Sequence, residues 1–205
     1  MEDDIVRTPR LVMRRAEVRD LGAMHAVLSS PVAMRYWSTL PHTRLGETRE
    51  WLKGMMASPD TESDDFVVEF EGRVVGKAGF WRLPEIGYIF HPDCWGRGLA
   101  YECLSALTAR AFRRSDIDAL TADVDPRNAA SLRLLGKLGF METGRKAATW
   151  LIGDEWCDSV YLELRRDGSM RGIAEPRDGL AGGVAESDIG ADDGNRTRTS
   201  KPEGF

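Results

Sequence analysis

With 205 residues and a formal net charge of −5 at pH 7, the chain is long enough for one domain with a substantial core, since ~150 residues bury roughly two-thirds of their unfolded surface. The acidic balance argues against nucleic acid and toward a cationic partner. No apolar run approaches the ~20 residues that cross a bilayer, and the start Met1-Glu2-Asp3-Asp4 lacks the basic and apolar regions of a signal peptide. No membrane association is expected. Cys94, Cys103 and Cys157 form no C-x-x-C pair, which predicts neither a disulfide nor zinc and fits a reducing cytoplasm. His25, His42 and His91 show no metal-ligand spacing, so no metal site is expected.

Residues 10–14 read as a short strand. A helix follows from about Asp20, its possible cap, with Leu21, Met24 and Leu28 on one face. After an aromatic loop over 34–41, a second helix begins at Thr43 and carries Trp51, Leu52, Met55 and Met56 inward; residues 58–65 are polar and read as loop. Residues 66–70 and 73–81, joined by Glu71-Gly72, form a β-hairpin, and 84–90 is the next strand. Near the end, 140–152 and 155–164 pair around Gly153-Asp154. The domain is therefore placed at residues 5–166. From 167 to 205 the chain is rich in Gly, Asp, Arg and Ser, without periodicity, and is expected to be disordered because it cannot bury enough apolar surface. It reads as a dispensable extension or as an interaction tail.

The stretch 91–102 (HPDCWGRGLAYE) holds the first chemical signal. It joins the strand ending at Phe90 to a helix whose apolar residues fall at Ala100, Cys103, Leu104, Leu107 and Ala111. Gly96 and Gly98 lie in the turn, where glycine permits positive φ and close approach to the backbone. The first amides of a helix lack internal partners and its dipole favours an anion, so a phosphate cradle is one reading. A plain tight turn is another. The P-loop pattern Gly-x-x-x-x-Gly-Lys-Ser/Thr is not met. The dinucleotide fingerprint begins at Gly96 and Gly98 but meets Tyr101 at its third position, where a ring obstructs helix–strand packing. Acidic residues over 116–125 keep that dinucleotide reading open.

A second stretch, 121–140 (TADVDPRNAASLRLLGKLGF), reads as strand, turn at Pro126, helix capped by Asn128, stop at Gly139 and a following strand. Its residue order resembles the GNAT superfamily of acetyl-CoA-dependent N-acetyltransferases. In that superfamily the cofactor loop runs Gln/Arg-x-x-Gly-x-Gly/Ala and a later segment runs Asn-x-x-Ser/Ala-x-x-Leu-Tyr/Leu-x-Lys-x-Gly-Phe. The chain supplies Gly98 and Ala100 in the first, and Asn128, Ser131, Leu134, Lys137, Gly139 and Phe140 in the second. Residues 8–14 with Asp20, and the closing 153–161, resemble the branch that acetylates ribosomal-protein N-termini and some antibiotics.

The resemblance implies an α/β (α+β) fold: a mixed, mostly antiparallel sheet with a splayed parallel strand pair, here 86–90 and 121–125, flanked by helices. It implies direct transfer of acetyl to a primary amine in a ternary complex, with acetyl-CoA as co-substrate. Backbone at Tyr88, Ile89 and Phe90 is expected to bind pantetheine. Amides of Gly96, Arg97, Gly98, Leu99 and Ala100 are expected to take the pyrophosphate, with added charge from Arg97, and Asn128 to touch the cofactor's arm. Glu85 falls where many relatives carry a catalytic glutamate; its plainer reading is a strand-end carboxylate. Two positions depart from the family pattern. Trp95 replaces the usual Gln or Arg, and Leu135 replaces the tyrosine that protonates the thiolate, leaving Ser131 as candidate donor or mere helix filler. The acceptor pocket draws on Tyr36, Trp37, Tyr88, Trp150, Trp156 and Asp158. The expected acceptor is a peptide or protein N-terminal α-amine, with small molecules (antibiotic or polyamine) as the alternative, and monomer and homodimer both stay open. A non-catalytic acetyl-CoA sensor is the other reading.

Overall fold

In residues 66–70, Phe66, Val68 and Phe70 alternate with Val67, yet both sets are buried. A strand buried on both sides must be covered on both. The computed structural model, which describes residues 4–59 and 61–168, shows what covers it. The strands are β1 (Ile5–Arg7), β2 (Leu11–Arg14), β3 (Asp64–Phe70), β4 (Arg73–Arg82), β5 (Glu85–Phe90), β6 (Ala119–Val124), β7 (Met141–Ile152) and β8 (Glu155–Arg165), in one sheet of order β1-β2-β3-β4-β5-β6-β8-β7. The helices are α1 (Leu21–Leu28), α2 (Leu45–Ala57), α3 (Leu99–Ala111) and α4 (Ala129–Lys137). Phe66, Val68 and Phe70 pack in one cluster with Leu99, Cys103, Leu104 and Leu107 of α3 and Leu135 of α4. On the other face Val67 and Ile89 meet Met24, Val27 and Leu28 of α1 and Trp51, Leu52 and Met55 of α2.

The β3–β4 hairpin turns at Glu71 (φ 50) and Gly72 (φ 73); positive φ at both central residues suits the twist of paired strands. Every neighbouring pair in the sheet is antiparallel except β5–β6, which shares a single paired position, Glu85 with Thr121. Beyond it the two strands separate. Each is held by its other neighbour: β6 is in register with β8 from Ala119↔Arg165 to Val124↔Val160, and β5 follows β4 to Gly76↔Phe90. Gly76 lets β5 come that close, because a Cβ there would stand 2.1 Å from the Ile89 carbonyl oxygen. The splayed pair implied by the resemblance is thus present, with β6 running 119–124 rather than 121–125.

Several local expectations change. β1 was not legible, since three residues carry too little pattern. Asp20 precedes α1, but its side chain makes no cap bond. It accepts instead from the Arg14 guanidinium at 2.7 and 2.8 Å and from the Glu17 N–H at 2.8 Å. Burial opposes ionisation of Asp20, and these bonds overcome that and lower its pKa. Met56 is 45% exposed rather than inward. Asp64 and Asp65, assigned to a polar loop, are buried in β3. Asp64 takes Arg15 (3.0 Å) and Arg110 (2.8 Å), and Asp65 takes the buried Lys77 ammonium at 2.7 Å. Charge pairing across strands was invisible to a reading that scores polarity alone. Most of the stretch expected to be a disordered tail, from 169 on, lies outside the described residues.

Replacing Gly76 by Ala should cost about 3 kcal/mol or more of folding stability, because the obstructing atom is backbone and cannot rotate away. Chemical denaturation would measure it. An unchanged midpoint would show that β5 is not held against β4 in this way.

Candidate active site

The separation of β5 and β6 opens a cavity of about 1590 Å³, lined from both faces of the sheet. Two helices begin beside the gap, because β5 leads through residues 91–98 into α3 and β6 leads through 125–128 into α4. Their first amides lack partners within the helix, which makes the gap a favourable place for an anion. At α3 the loop carries Gly96 (φ 72) and Gly98 (φ 74). Gly98 is the residue just before the helix and lies in the left-handed region, where any side chain is strained. At α4 the Asn128 side-chain oxygen accepts from the Ser131 N–H at 3.1 Å, the expected cap. Gly139 (φ 93) ends that helix.

The cavity brings together Glu85, Tyr88, Ile89, Phe90, Gly96, Gly98, Leu99, Ala100, Asn128 and Ser131, along with Trp37 and Trp150. Tyr88 and Ser131 are directly joined, Oη to Oγ at 2.6 Å, so a phenol from β5 spans the gap to a hydroxyl in the first turn of α4. Burial pushes the Tyr88 pKa up to about 12, against a smaller downward pull from the Ser131 bond. The phenol therefore remains a proton donor through the neutral range. Leu135 is fully buried in the core and presents nothing to the cavity but hydrocarbon.

Glu85 lines the cavity at the point where the strands part and accepts from the Trp81 indole N–H at 3.3 Å. On β5, Ile86 and Phe90 face the α3–α4 cluster and Ile89 faces the α1–α2 cluster, so alternation puts Glu85 and Gly87 on the α1–α2 side. The gap left by Gly87 faces Trp81 and Lys77, at 3.4 and 3.8 Å from where its Cβ would stand. Trp37 lies nearby, with the Lys77 ammonium 5.6 Å from its ring centroid. Across the gap, the Trp150 indole donates to Asp123 of β6 at 2.7 Å.

Four expected residues sit differently, the first being Trp156, which is exposed and does not line the cavity. The Arg97 side chain turns away from the cavity and lies over the Phe70 ring, 4.5 Å from its centroid, within 3.7 Å of Glu71. Asp158 does not line the cavity; it accepts from the Ala148 N–H at 2.9 Å, where Ala148 has φ 51 and β7 slips register before Trp150. Its role is to hold the bulge that aims Trp150 inward. The Phe90 carbonyl is engaged, accepting from the Trp95 indole at 2.9 Å, which explains what a tryptophan does at that loop position. Sequence reasoning missed Arg10, Lys77, Trp81 and Asp123, which all line the cavity. Arg10 lay within the stretch resembling the N-terminal-acetylating branch; the other three had no local signal. Among the described residues, no group of three or more His, Cys, Asp or Glu is arranged to hold a metal, and no helix is long and apolar enough to cross a membrane.

A mixed sheet split at its one parallel pair, with two helix starts at the split, defines the acetyltransferase class to which the sequence motifs pointed. The profile of the Acetyltransferase (GNAT) domain matches residues 10–141, and the chain belongs to that family of acetyl-CoA-dependent N-acetyltransferases. It is 27% identical over 146 residues to an uncharacterized N-acetyltransferase, p20, of Bacillus licheniformis, covering 67% of this chain and 82% of that one. The spermidine N(1)-acetyltransferase of Escherichia coli K12 is 26% identical over 159 residues, covering 73% and 83%. In fold, the chain matches the solved ribosomal L7/L12 α-N-protein acetyltransferase in complex with coenzyme A with a TM-score of 0.71, at 21% identity, covering 80% of this chain and 99% of that one.

Difference titration at 295 nm between the wild type and Tyr88→Phe should show no ionisation of Tyr88 below about pH 11, because its pKa is raised to about 12. Ionisation near pH 10, the ordinary tyrosine value, would show that the phenol is not enclosed.

Proposed function

We propose that the chain transfers acetyl from acetyl-CoA to a primary amine by direct attack in a ternary complex, preferring a peptide or protein N-terminal α-amine, with residues 5–166 as the catalytic unit. Loop amides from Gly96 to Ala100 hold the pyrophosphate at the start of α3. The backbone of Tyr88 and Ile89, facing the gap, pairs with pantetheine much as an added strand would. The free amide group of Asn128 touches the arm. As the amine nitrogen bonds to the acetyl carbon and the C–S bond breaks, one proton leaves the nitrogen and one must reach the sulfur. Glu85, directly or through a water, accepts the first. Ser131 gives its hydroxyl proton to the sulfur and takes one from Tyr88, whose phenol is protonated at rest and regains its proton from solvent.

The observation that carries the acceptor reading is the pair of carboxylates, Glu85 and Asp123, on opposite sides of the gap in a cavity walled by Trp37, Trp81 and Trp150. That combination suits one cationic head attached to an apolar body. Arg35 and Lys77 line the same cavity, which counts against a long polycation such as a polyamine. An α-amine, with a pKa of ~8, is partly neutral near pH 7, whereas lysine at ~10.4 is almost wholly charged. Glu85 then has less proton to remove before the attack. The likeness of residues 8–14 and 153–161 to the N-terminal-acetylating branch points the same way.

Two outcomes test this. Gly98→Val strains the loop and crowds its amides, so CoA affinity by calorimetry should fall at least tenfold while circular dichroism stays folded. Unchanged affinity would remove the phosphate cradle, and NAD binding without CoA binding would return the dinucleotide reading. Short peptides with a free N-terminus should be acetylated there, as located by mass spectrometry, with Glu85→Gln and Ser131→Ala each slowing turnover ~10²-fold. The Glu85→Gln defect should be largest at low pH, where more amine is charged. Modification of lysine only, or turnover only with polyamine or antibiotic acceptors, would overturn the α-amine assignment. CoA binding without turnover on any amine would favour a sensor.

A further inference from the structure

We infer that Arg10, from the turn between β1 and β2, supplies the side-chain charge on the cofactor's pyrophosphate, and that Glu102 positions it. This deepens the proposed phosphate cradle and rests on it. The loop between Phe90 and α3 brings Cys94, Trp95, Gly96 and Gly98 to the gap but no charged side chain, because its own arginine, Arg97, is stacked over Phe70 and paired with Glu71. A pyrophosphate carries two negative charges, and one helix start answers only part of that. Arg10 lies 87 residues from Arg97 in sequence, yet its Nη1 donates to the Arg97 carbonyl at 2.9 Å. Its Nη2 stands 3.6 Å from where a Cβ of Gly98 would be. The guanidinium is thus laid along the two residues that precede α3, at the rim of the cavity, with its side chain 45% exposed toward solvent.

Glu102 sets that pose. It belongs to the first turn of α3 and gathers three donors: the Thr8 hydroxyl at 2.6 Å, the Arg10 N–H at 2.9 Å and the Arg10 Nε at 2.6 Å. Two fix the backbone turn and one fixes the guanidinium by its inner edge. With Nε held and Nη1 on a carbonyl, the Nη2 end is the part of the fork directed at Gly98. Burial disfavours charge on Glu102, but the bonds from Thr8 and Arg10 more than offset it and its pKa is lowered, so the clamp is ionised at neutral pH. Glu102 neutralises part of the arginine's charge. What remains is a planar donor with its rotamer already set, which loses little freedom when an anion arrives.

Calorimetry with CoA, 3′-dephospho-CoA and pantetheine separates the possible roles. Arg10→Ala should weaken CoA and dephospho-CoA alike, by about 10- to 100-fold as for loss of a charge-assisted bond, and leave pantetheine unchanged. The loss should shrink at high salt, where the charge term is screened. Arg97→Ala, which keeps the loop backbone, should cost less than Arg10→Ala. Glu102→Gln, a positioning change, should weaken CoA less than Arg10→Ala and leave pantetheine unaffected. If Arg10→Ala does not fold, Arg10→Lys, which keeps the charge and loses the fork, must still weaken both nucleotides. Undiminished CoA affinity in these Arg10 variants, or an equal loss for pantetheine, overturns the inference while the cradle stands. A loss for CoA alone moves Arg10 to the 3′-phosphate and overturns the pyrophosphate assignment. Failure of the wild type to bind CoA takes the proposed function with it.

Discussion

Everything at the site follows from one constraint: β5 and β6 are neighbours that pair at a single position. A parallel pair buried inside a sheet would normally complete its ladder, since unpaired backbone groups away from water are costly. In this chain each strand is bound more tightly to its other neighbour, β5 to β4 through the close approach at Gly76 and β6 to β8 over its full length. The result is a gap with two helix starts beside it and a side-chain bridge, Tyr88 to Ser131, across it.

Keeping such a gap open requires a stiff surround, and buried ion pairs provide much of it. Arg14 joins β2 to Asp20 before α1 and to Glu69 of β3. Asp64 joins Arg15 of the N-terminal segment to Arg110 of α3, with both guanidinium groups near the Phe66 ring. Lys77 and Asp65 lock β4 to β3 under the cavity. Buried pairs contribute little net stability compared with hydrocarbon of the same shape, but losing one partner is severe. Their effect is to fix orientation. They hold the N-terminal arm against α3 so that Arg10 and Glu102 meet at the loop before α3.

The fold was legible where residue order is tied to backbone conformation. Gly72 announced a hairpin because glycine takes positive φ readily, and Asn128 and Gly139 bracketed α4 because one caps a helix start and the other a helix end. The loop at Gly96 and Gly98 was legible for the same reason. Met56 and Asp20 were misjudged because helical spacing gives a face without saying how wide the buried stripe is, and because a carboxylate before a helix can serve a distant arginine instead of the nearest amide.

The sequence by itself determined most of the local parts: all strands but β1 and the start of β3, the glycine loop before α3, the capped helix and the order of motifs that identifies the family. Those features depend on residues adjacent in the chain, where dihedral preference and short-range hydrogen bonding decide. Only the tertiary structure decided which side chains share the cavity. Arg10 displaced Arg97 at the loop, Tyr88 met Ser131 across 43 residues, Asp123 met Trp150 across 27, and Asp158 was spent on a bulge rather than on the pocket. Each depends on strand register and helix placement, which are set by packing of the whole sheet and carry no signature in neighbouring residues.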